Sequence, residues 1–120
     1  VGKKFVNQSA SNLHDHYGDM SPVHSLNNLA VVIWAFLSFQ DSFDEAIGET
    51  ICCGWDTDCT GATVGGLIGL DKGSIPESWT DPWQGRVNTA IAGVGELKLE
   101  DLVERTCKLV DQFSSESDMD

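Results

Sequence analysis

The sequence has few basic residues and little that would attract polyanions. It contains seven Lys and Arg against nineteen Asp and Glu, which gives a formal net charge of -12. This charge repels nucleic-acid phosphates and anionic lipid headgroups, so neither is expected as a partner. A local anionic ligand remains compatible with it where a metal cation or a helix N-terminus supplies positive potential.

The sequence also lacks a long apolar run and a spaced cysteine framework. Its longest apolar run, residues 29–37, is far shorter than the roughly 20 residues that cross a bilayer. Of the four cysteines, Cys52 and Cys53 are adjacent, and the first residues do not form a secretory signal peptide. These features predict a soluble, cytoplasmic protein with reduced thiols.

The length of 120 residues is that of one domain, and 41% apolar residues with four Trp suffice for a core. We predict one helical domain over residues 1–113 and an acidic, disordered tail over residues 114–120. The chain begins with Val1, not Met, in a polar segment, so a fragment of a longer protein is expected.

The apolar pattern predicts helices, and the predicted fold class is all-α. An apolar run from Asn27 predicts a buried helix, although periodicity alone leaves a central strand open. Ser42 and Glu45 form a capping-box pattern at the start of a second helix, which Gly54 would end.

The remaining segments are less regular, apart from the last. Residues 1–25 show no sustained periodicity, residues 73–86 resemble a loop, and residues 87–95 are weakly amphipathic. Residues 97–113 carry apolar side chains at helical spacing, and Cys107 on that apolar face is expected in the core.

Residues 54–69, GWDTDCTGATVGGLIG, predict a further helix from the aspartates to about Leu70. Gly61, Gly65 and Gly69 recur every four residues in it. A glycine inside a helix costs roughly 1 kcal/mol relative to alanine. A compensating close approach of the backbone to another helix or to a ligand is therefore expected.

The two aspartates of this stretch admit two interpretations. In the simpler one, Asp56 is the N-cap and Asp58 interacts with the helix dipole in the first turn. In the other, both carboxylates bind a hard cation such as magnesium, which prefers oxygen ligands. Side chains two residues apart do not share a helix face, so they converge only where the chain turns.

The order of these motifs resembles the ADP-ribosylglycohydrolase family. The Gly-x-Asp-Thr-Asp box at residues 54–58, with a small-residue helix after it, resembles the family's dinuclear metal signature. HSLNN at residues 24–28, SFDEAI at 42–47, IPESW at 75–79 and the segment around LEDLVERT resemble its neighbouring segments. The resemblance spans roughly residues 16–110 and implies the C-terminal part of an orthogonal multi-helix bundle.

The resemblance implies a magnesium-dependent hydrolase that releases ADP-ribose from a modified protein side chain or a small ADP-ribosyl compound. Asp56 and Asp58 would hold a pair of magnesium ions, with manganese as the substitute. The next position is usually a threonine ligand but is Cys59 here, and a thiol is a poor ligand for magnesium. Either water displaces Cys59, or Thr60 replaces it, or the second ion is bound weakly. The implied substrate-binding residues are His24, Asn28, Gly54, Trp55 and Thr57.

Other ligands that the resemblance implies are missing. The family's Thr-Asp-Asp cluster does not occur in this sequence, and the general acid or base is expected in the same missing N-terminal part. We therefore expect the 120-residue chain alone to be inactive. The competing hypothesis is a non-catalytic helical binding or structural protein that retains the fold. The linkage cleaved and the oligomeric state remain open.

Simpler roles compete for several of these residues. His24 and Asn28 would line the site, but helix capping by Asn27 or Asn28 is an equal alternative. Trp55 would lie beside a nucleotide or fill the core next to Cys53. Histidines and cysteines occur without the spacing of a zinc site, so zinc is not expected.

Overall fold

The computed structural model describes residues 2–117, which form six α-helices, one short 3₁₀ helix and a two-stranded hairpin. The all-α prediction is confirmed. The chain divides into two compact units, one up to Ile75 and one from Pro76 onward. The elements are α1 (Gly2–Tyr17), α2 (Ser25–Phe39), α3 (Phe43–Cys53), α4 (Thr57–Lys72), α5 (Glu77–Thr80), the 3₁₀ helix (Asp81–Trp83), β1 (Arg86–Asn88), β2 (Glu96–Lys98) and α6 (Leu99–Ser117).

The core of the first unit lies among α2, α3 and α4, which pack on one another in all three pairings, while α1 packs against α2. The apolar run after Asn27 is therefore a helix and not a strand. Burying a Val or Ile side chain stabilises the fold by about 1.5–3 kcal/mol. The buried core side chains are Val32, Ala35, Ala46, Val64 and Ile68.

The boundaries of α3 follow the predicted signals, with one difference. The Ser42 hydroxyl oxygen accepts a hydrogen bond from the Glu45 N–H at 3.3 Å, and Gly54 ends the helix at a φ of 85°. The Ser42 N–H itself donates to the Phe39 carbonyl at 3.0 Å. In a full capping box, the Glu45 side chain would accept from the Ser42 N–H in return. Because that N–H already has a partner, Ser42 caps α3 without the reciprocal bond.

The glycines of α4 allow side chains of neighbouring segments to come close to its backbone. A Cβ on Gly61 would stand 2.9 Å from Ile51 Cδ1, and one on Gly65 would stand 3.3 Å from Ile47 Cδ1. Both isoleucines belong to α3, so the two helices approach along the glycine row. Gly69 meets Ile75 in the same way, with Cγ1 at 3.2 Å from the Cβ position. The predicted close approach to another helix is confirmed for Gly61 and Gly65, whereas Gly69 meets the segment that follows α4.

Three segments differ from the predicted pattern. Residues 73–86, predicted as a loop, contain the short helix α5 and the 3₁₀ helix. Residues 2–17, for which no helix is predicted, form the helix α1, which packs against α2. In the second unit, Arg86–Asn88 and Glu96–Lys98 pair as an antiparallel hairpin, where a weakly amphipathic segment was expected. Three residues per strand are too few to show the alternation by which a strand is recognised.

The predicted last helix is present as α6, but side chains of its apolar face are exposed. Cys107, predicted in the core, is exposed, and so are Leu102, Val110 and Phe113. The prediction for Cys107 is wrong because helical spacing identifies an apolar face without showing what packs on it. α6 continues to Ser117, so part of the predicted tail is helical, and residues 118–120 lie outside the described residues. Between residues 2 and 117, no helix has the length and apolarity to span a bilayer.

Candidate metal centre

The candidate site is built on the turn between α3 and α4. Gly54 has φ 85° and ψ -152°, a backbone conformation that only glycine adopts readily. Trp55 follows with φ 58°, in the left-handed region that costs a residue with a side chain about 1–2 kcal/mol. Two consecutive residues with positive φ reverse the chain direction sharply before α4 begins at Thr57.

Asp56 occupies the N-cap position of α4, but its side chain makes no capping hydrogen bond. Only its backbone takes part, because the Asp56 carbonyl accepts from the Thr60 N–H at 3.0 Å. The interpretation of Asp56 as a side-chain cap is therefore wrong. Its backbone, at φ -86° and ψ 73°, does not direct the carboxylate to the N–H groups that a cap would bond.

The turn brings three potential ligand atoms together. A carboxylate oxygen of Asp56, one of Asp58 and the Cys59 Sγ all lie within 4.8 Å of one another. Asp56 is half-buried, whereas Asp58 and Cys59 are exposed. This is the convergence that the metal-site interpretation of the two aspartates requires, and a regular helix would not produce it.

Hydrogen bonds and charge perturb two of these groups. The pKa of the Asp58 carboxyl is lowered, first by a hydrogen bond with the Asp56 side chain and then by the N–H groups of Asp58 and Cys59. The pKa of the Cys59 thiol is raised, first by a hydrogen bond to Asp56 and then by the negative charge of Asp56 and Asp58. A metal bound to Cys59 would therefore have to displace a thiol proton.

The donor set fits a divalent cation in part. Two carboxylates are the hard oxygen ligands that magnesium or manganese binds, whereas a thiolate favours softer ions. The Thr60 hydroxyl is not free to bind a metal together with the cluster. Thr60 is 1% exposed, and its Oγ1 donates to the Asp56 carbonyl at 2.9 Å. Asp56 and Asp58 thus fit a hard ion, and Cys59 fits it poorly.

A small cavity lies beside the cluster. It has a volume of about 180 Å³, and Asn28 Oδ1 is buried without a hydrogen-bond partner among the described residues. A buried acceptor without a donor costs about 1–3 kcal/mol. A donor group of a bound ligand would satisfy it. The cavity is lined by Asn28, Leu29, Val32, Cys59, Thr60 and Thr63.

His24 lies at the start of α2 and makes a structural contact. It is exposed, and its Nδ1 accepts from the Leu26 N–H at 3.1 Å, so His24 is the N-cap of α2. Asn27, which was considered as the cap, is fully buried, and its Nδ2 donates to the Ser21 carbonyl at 3.0 Å. The expectation that Asn27 or Asn28 caps this helix is wrong, because the chain enters the helix earlier, at Ser25.

Of the other predicted substrate-binding residues, Gly54 and Trp55 form the turn and Thr57 is the half-buried first residue of α4.

His14 is a site neighbour that sequence reasoning missed. Its ring stacks on the Trp55 indole with centroids 4.1 Å apart, and its Nε2 lies 2.6 Å from the Cys53 carbonyl oxygen. Trp55 is therefore half-buried against His14 and does not fill the core. No local pattern indicates this contact, because His14 lies 39 residues before Cys53 in the sequence.

These features agree with a comparison against protein families. The model of the ADP-ribosylglycohydrolase family matches residues 4–117. The chain belongs to this family. ADP-ribosylglycohydrolases act on ADP-ribosylated substrates and are metal-dependent in general. No match to the chain was found among curated proteins or among solved structures.

Proposed function

We propose that the chain contributes the Asp-Thr-Asp part of the metal site of a magnesium-dependent ADP-ribosylglycohydrolase. The enzyme would release ADP-ribose from a modified protein side chain or from a small ADP-ribosyl compound. The observation that supports this most is the convergence of Asp56, Asp58 and Cys59 at the turn before α4. The same turn leaves the Asp56 side chain without a capping role.

The two aspartates act as metal holders in this proposal. Glycosidases that use two carboxylates as acid and base, or acid and nucleophile, keep them about 5–9.5 Å apart. The reactive oxygens of Asp56 and Asp58 lie within 4.8 Å, which suits one shared cation better. When bound, the metal supplies Lewis-acid stabilisation of developing charge and orients ribose hydroxyls.

The other residues near the turn are proposed to bind substrate. Asn28 offers an unsatisfied Oδ1 to a ligand hydroxyl, and the half-buried Trp55 precedes Asp56 in the chain. The start of α4 is a weaker candidate for binding the diphosphate. The carboxylates of Asp56 and Asp58 lie at this helix end and repel an anion, and the Thr60 N–H already bonds the Asp56 carbonyl.

Calorimetric titration of ADP-ribose with and without magnesium tests this proposal on the 120-residue chain. We expect magnesium to strengthen ADP-ribose binding, Asp58→Asn to abolish that effect, and Asp101→Asn to leave it unchanged. Asp101 is a matched control because it also lies in the first turn of a helix, α6, and is exposed. We expect binding without hydrolysis, since the Thr-Asp-Asp cluster is absent from this sequence. ADP-ribose binding that does not depend on magnesium or on Asp58 would instead support a non-catalytic binding protein.

A further inference from the structure

We propose that His14 is a positioning residue for the metal centre, which acts by holding the turn at Gly54 and Trp55. This inference rests on the proposed function, because it takes Asp56 and Asp58 as metal ligands. It adds to the centre a residue of α1 that lies outside the Asp-Thr-Asp box and contacts neither carboxylate in the described hydrogen bonds.

The turn needs a partner that keeps it in its observed shape. Trp55 has a positive φ of 58°, which an L-residue leaves readily for the negative side unless surrounding contacts prevent it. A change at Trp55 would redirect the chain immediately before Asp56. The separation of the Asp56 and Asp58 carboxylates depends on that direction, because residues two apart do not converge on a regular helix.

His14 contacts the turn on both sides of Gly54. Before it, the Nε2–H of His14 donates to the Cys53 carbonyl at 2.6 Å, one of the carbonyls that the end of α3 leaves without a helical partner. After it, the imidazole stacks on the Trp55 indole with an interplanar angle of 29°. The His14 side chain therefore holds both Cys53, at the start of the turn, and Trp55, whose positive φ is the strained conformation.

In other proteins, outer partners orient metal ligands by direct hydrogen bonds, and His14 would act one contact further away, through the backbone of the turn. Removal of such outer partners typically weakens metal affinity by about 10–100-fold without removing a ligand. We expect His14→Ala to weaken Mn²⁺ binding by a factor in this range. His14→Gln, which keeps an N–H donor, and His14→Phe, which keeps an aromatic face, should each restore part of the lost affinity.

Two control variants separate positioning from a general loss of stability. His16→Ala removes a histidine two residues away on α1, whose ring contacts Tyr17, so Mn²⁺ affinity should stay at the wild-type value. Val64→Ala removes buried core atoms from α4 and should lower the melting temperature without weakening Mn²⁺ binding to the same degree. A merely structural role for His14 would make His14→Ala behave like Val64→Ala.

Mn²⁺ affinity is measured on the full chain by electron paramagnetic resonance, and the metal-free turn is followed through backbone amide chemical shifts. The inference predicts that His14→Ala moves the amide shifts of Trp55 and Asp56 while those of Ala46 and Thr50 in α3 stay in place. Unchanged shifts at Trp55 and Asp56 would overturn it, whatever the metal does. Wild-type Mn²⁺ affinity in His14→Ala, together with loss of binding in Asp58→Asn, would overturn the positioning role and leave the metal site standing. Equal Mn²⁺ affinity of wild type and Asp58→Asn would instead contradict the proposed function.

Discussion

The Cδ1 atom of Ile51 on α3 lies 2.9 Å from the point where a Cβ on Gly61 of α4 would stand. At that distance an added methyl group would displace the isoleucine side chain. Gly66, on the same helix, has nothing within 4 Å of its Cβ position. Gly61 therefore allows α3 to pack closely on α4, whereas Gly66 has no such role, although both belong to the same small-residue pattern in the sequence.

Gly66→Ala should raise the free energy of unfolding by about 1 kcal/mol, because alanine is the better helix former and meets no neighbour. Gly61→Ala should gain clearly less, since the shift of Ile51 offsets the helix propensity. Urea denaturation of the two variants measures the difference. Equal stabilisation by both substitutions would show that α3 does not approach α4 as closely as Gly61 implies.

The N-cap positions of α3 and α4 predict a second contrast. Ser42 accepts a hydrogen bond from the Glu45 N–H, whereas the Asp56 side chain caps nothing. Ser42→Ala should therefore destabilise the fold by about 1 kcal/mol, the usual cost of losing a cap. Asp56→Ala should cost less in thermal denaturation. A larger loss for Asp56→Ala would mean that its carboxylate supports α4 after all.

The adjacent cysteines should react at very different rates with iodoacetamide. Cys52 is exposed and Cys53 is buried, and burial raises the pKa of the Cys53 thiol, so less of the reactive thiolate forms there. Mass spectrometry of partially alkylated protein should find label at Cys52 first. Equal labelling of both in folded protein would contradict the burial of Cys53.

The raised pKa of Cys53 also gives a pH dependence. Because the folded-state pKa lies above the ordinary value of 9.0, the folded protein binds a proton more tightly than the unfolded chain does. The corresponding stability is fully present below pH 9 and is lost as the pH rises through the higher folded-state pKa. Cys53→Ala should show a smaller decline in melting temperature above pH 9 than wild type, and an identical decline would contradict this origin.

Cys59 predicts a change in metal preference. Its thiol is exposed and lies with the two carboxylates, but it suits soft ions better than magnesium. Cys59→Thr should therefore raise affinity for Mg²⁺ severalfold and lower affinity for Cd²⁺, as calorimetry can measure. Unchanged affinities for both ions would show that water, and not residue 59, completes the coordination.

Local signals in the sequence were sufficient for part of the fold and for the choice of candidate ligands. The Ser42 cap, the Gly54 end and the glycine row of α4 each follow from one physical rule that acts within a few residues. The helix α1 and the hairpin around Arg86 carry no such signal. The prediction that Cys107 is buried was wrong because its exposure depends on what packs against α6, and the spacing of apolar residues does not show that.

The candidate site, like the fold, could be predicted from the sequence only in part. The Asp-Thr-Asp box indicates the carboxylates, but their convergence depends on two positive φ values and on His14, which lies 42 positions before Asp56 in the sequence. The burial of Asn28 Oδ1 without a hydrogen-bond partner in the described part of the chain likewise depends on what surrounds α2. Contacts of this kind are long-range and leave no periodic pattern.

In the proposed function, the turn before α4 presents Asp56 and Asp58 to one divalent cation. Titration of Mn²⁺ into the full chain, followed by electron paramagnetic resonance, tests it most directly, with Asp58→Asn and Asp101→Asn measured side by side. We predict saturable binding by wild type and by Asp101→Asn, and loss of that binding in Asp58→Asn. Saturable binding of the same affinity in all three proteins would show that the Asp58 carboxylate does not bind the cation.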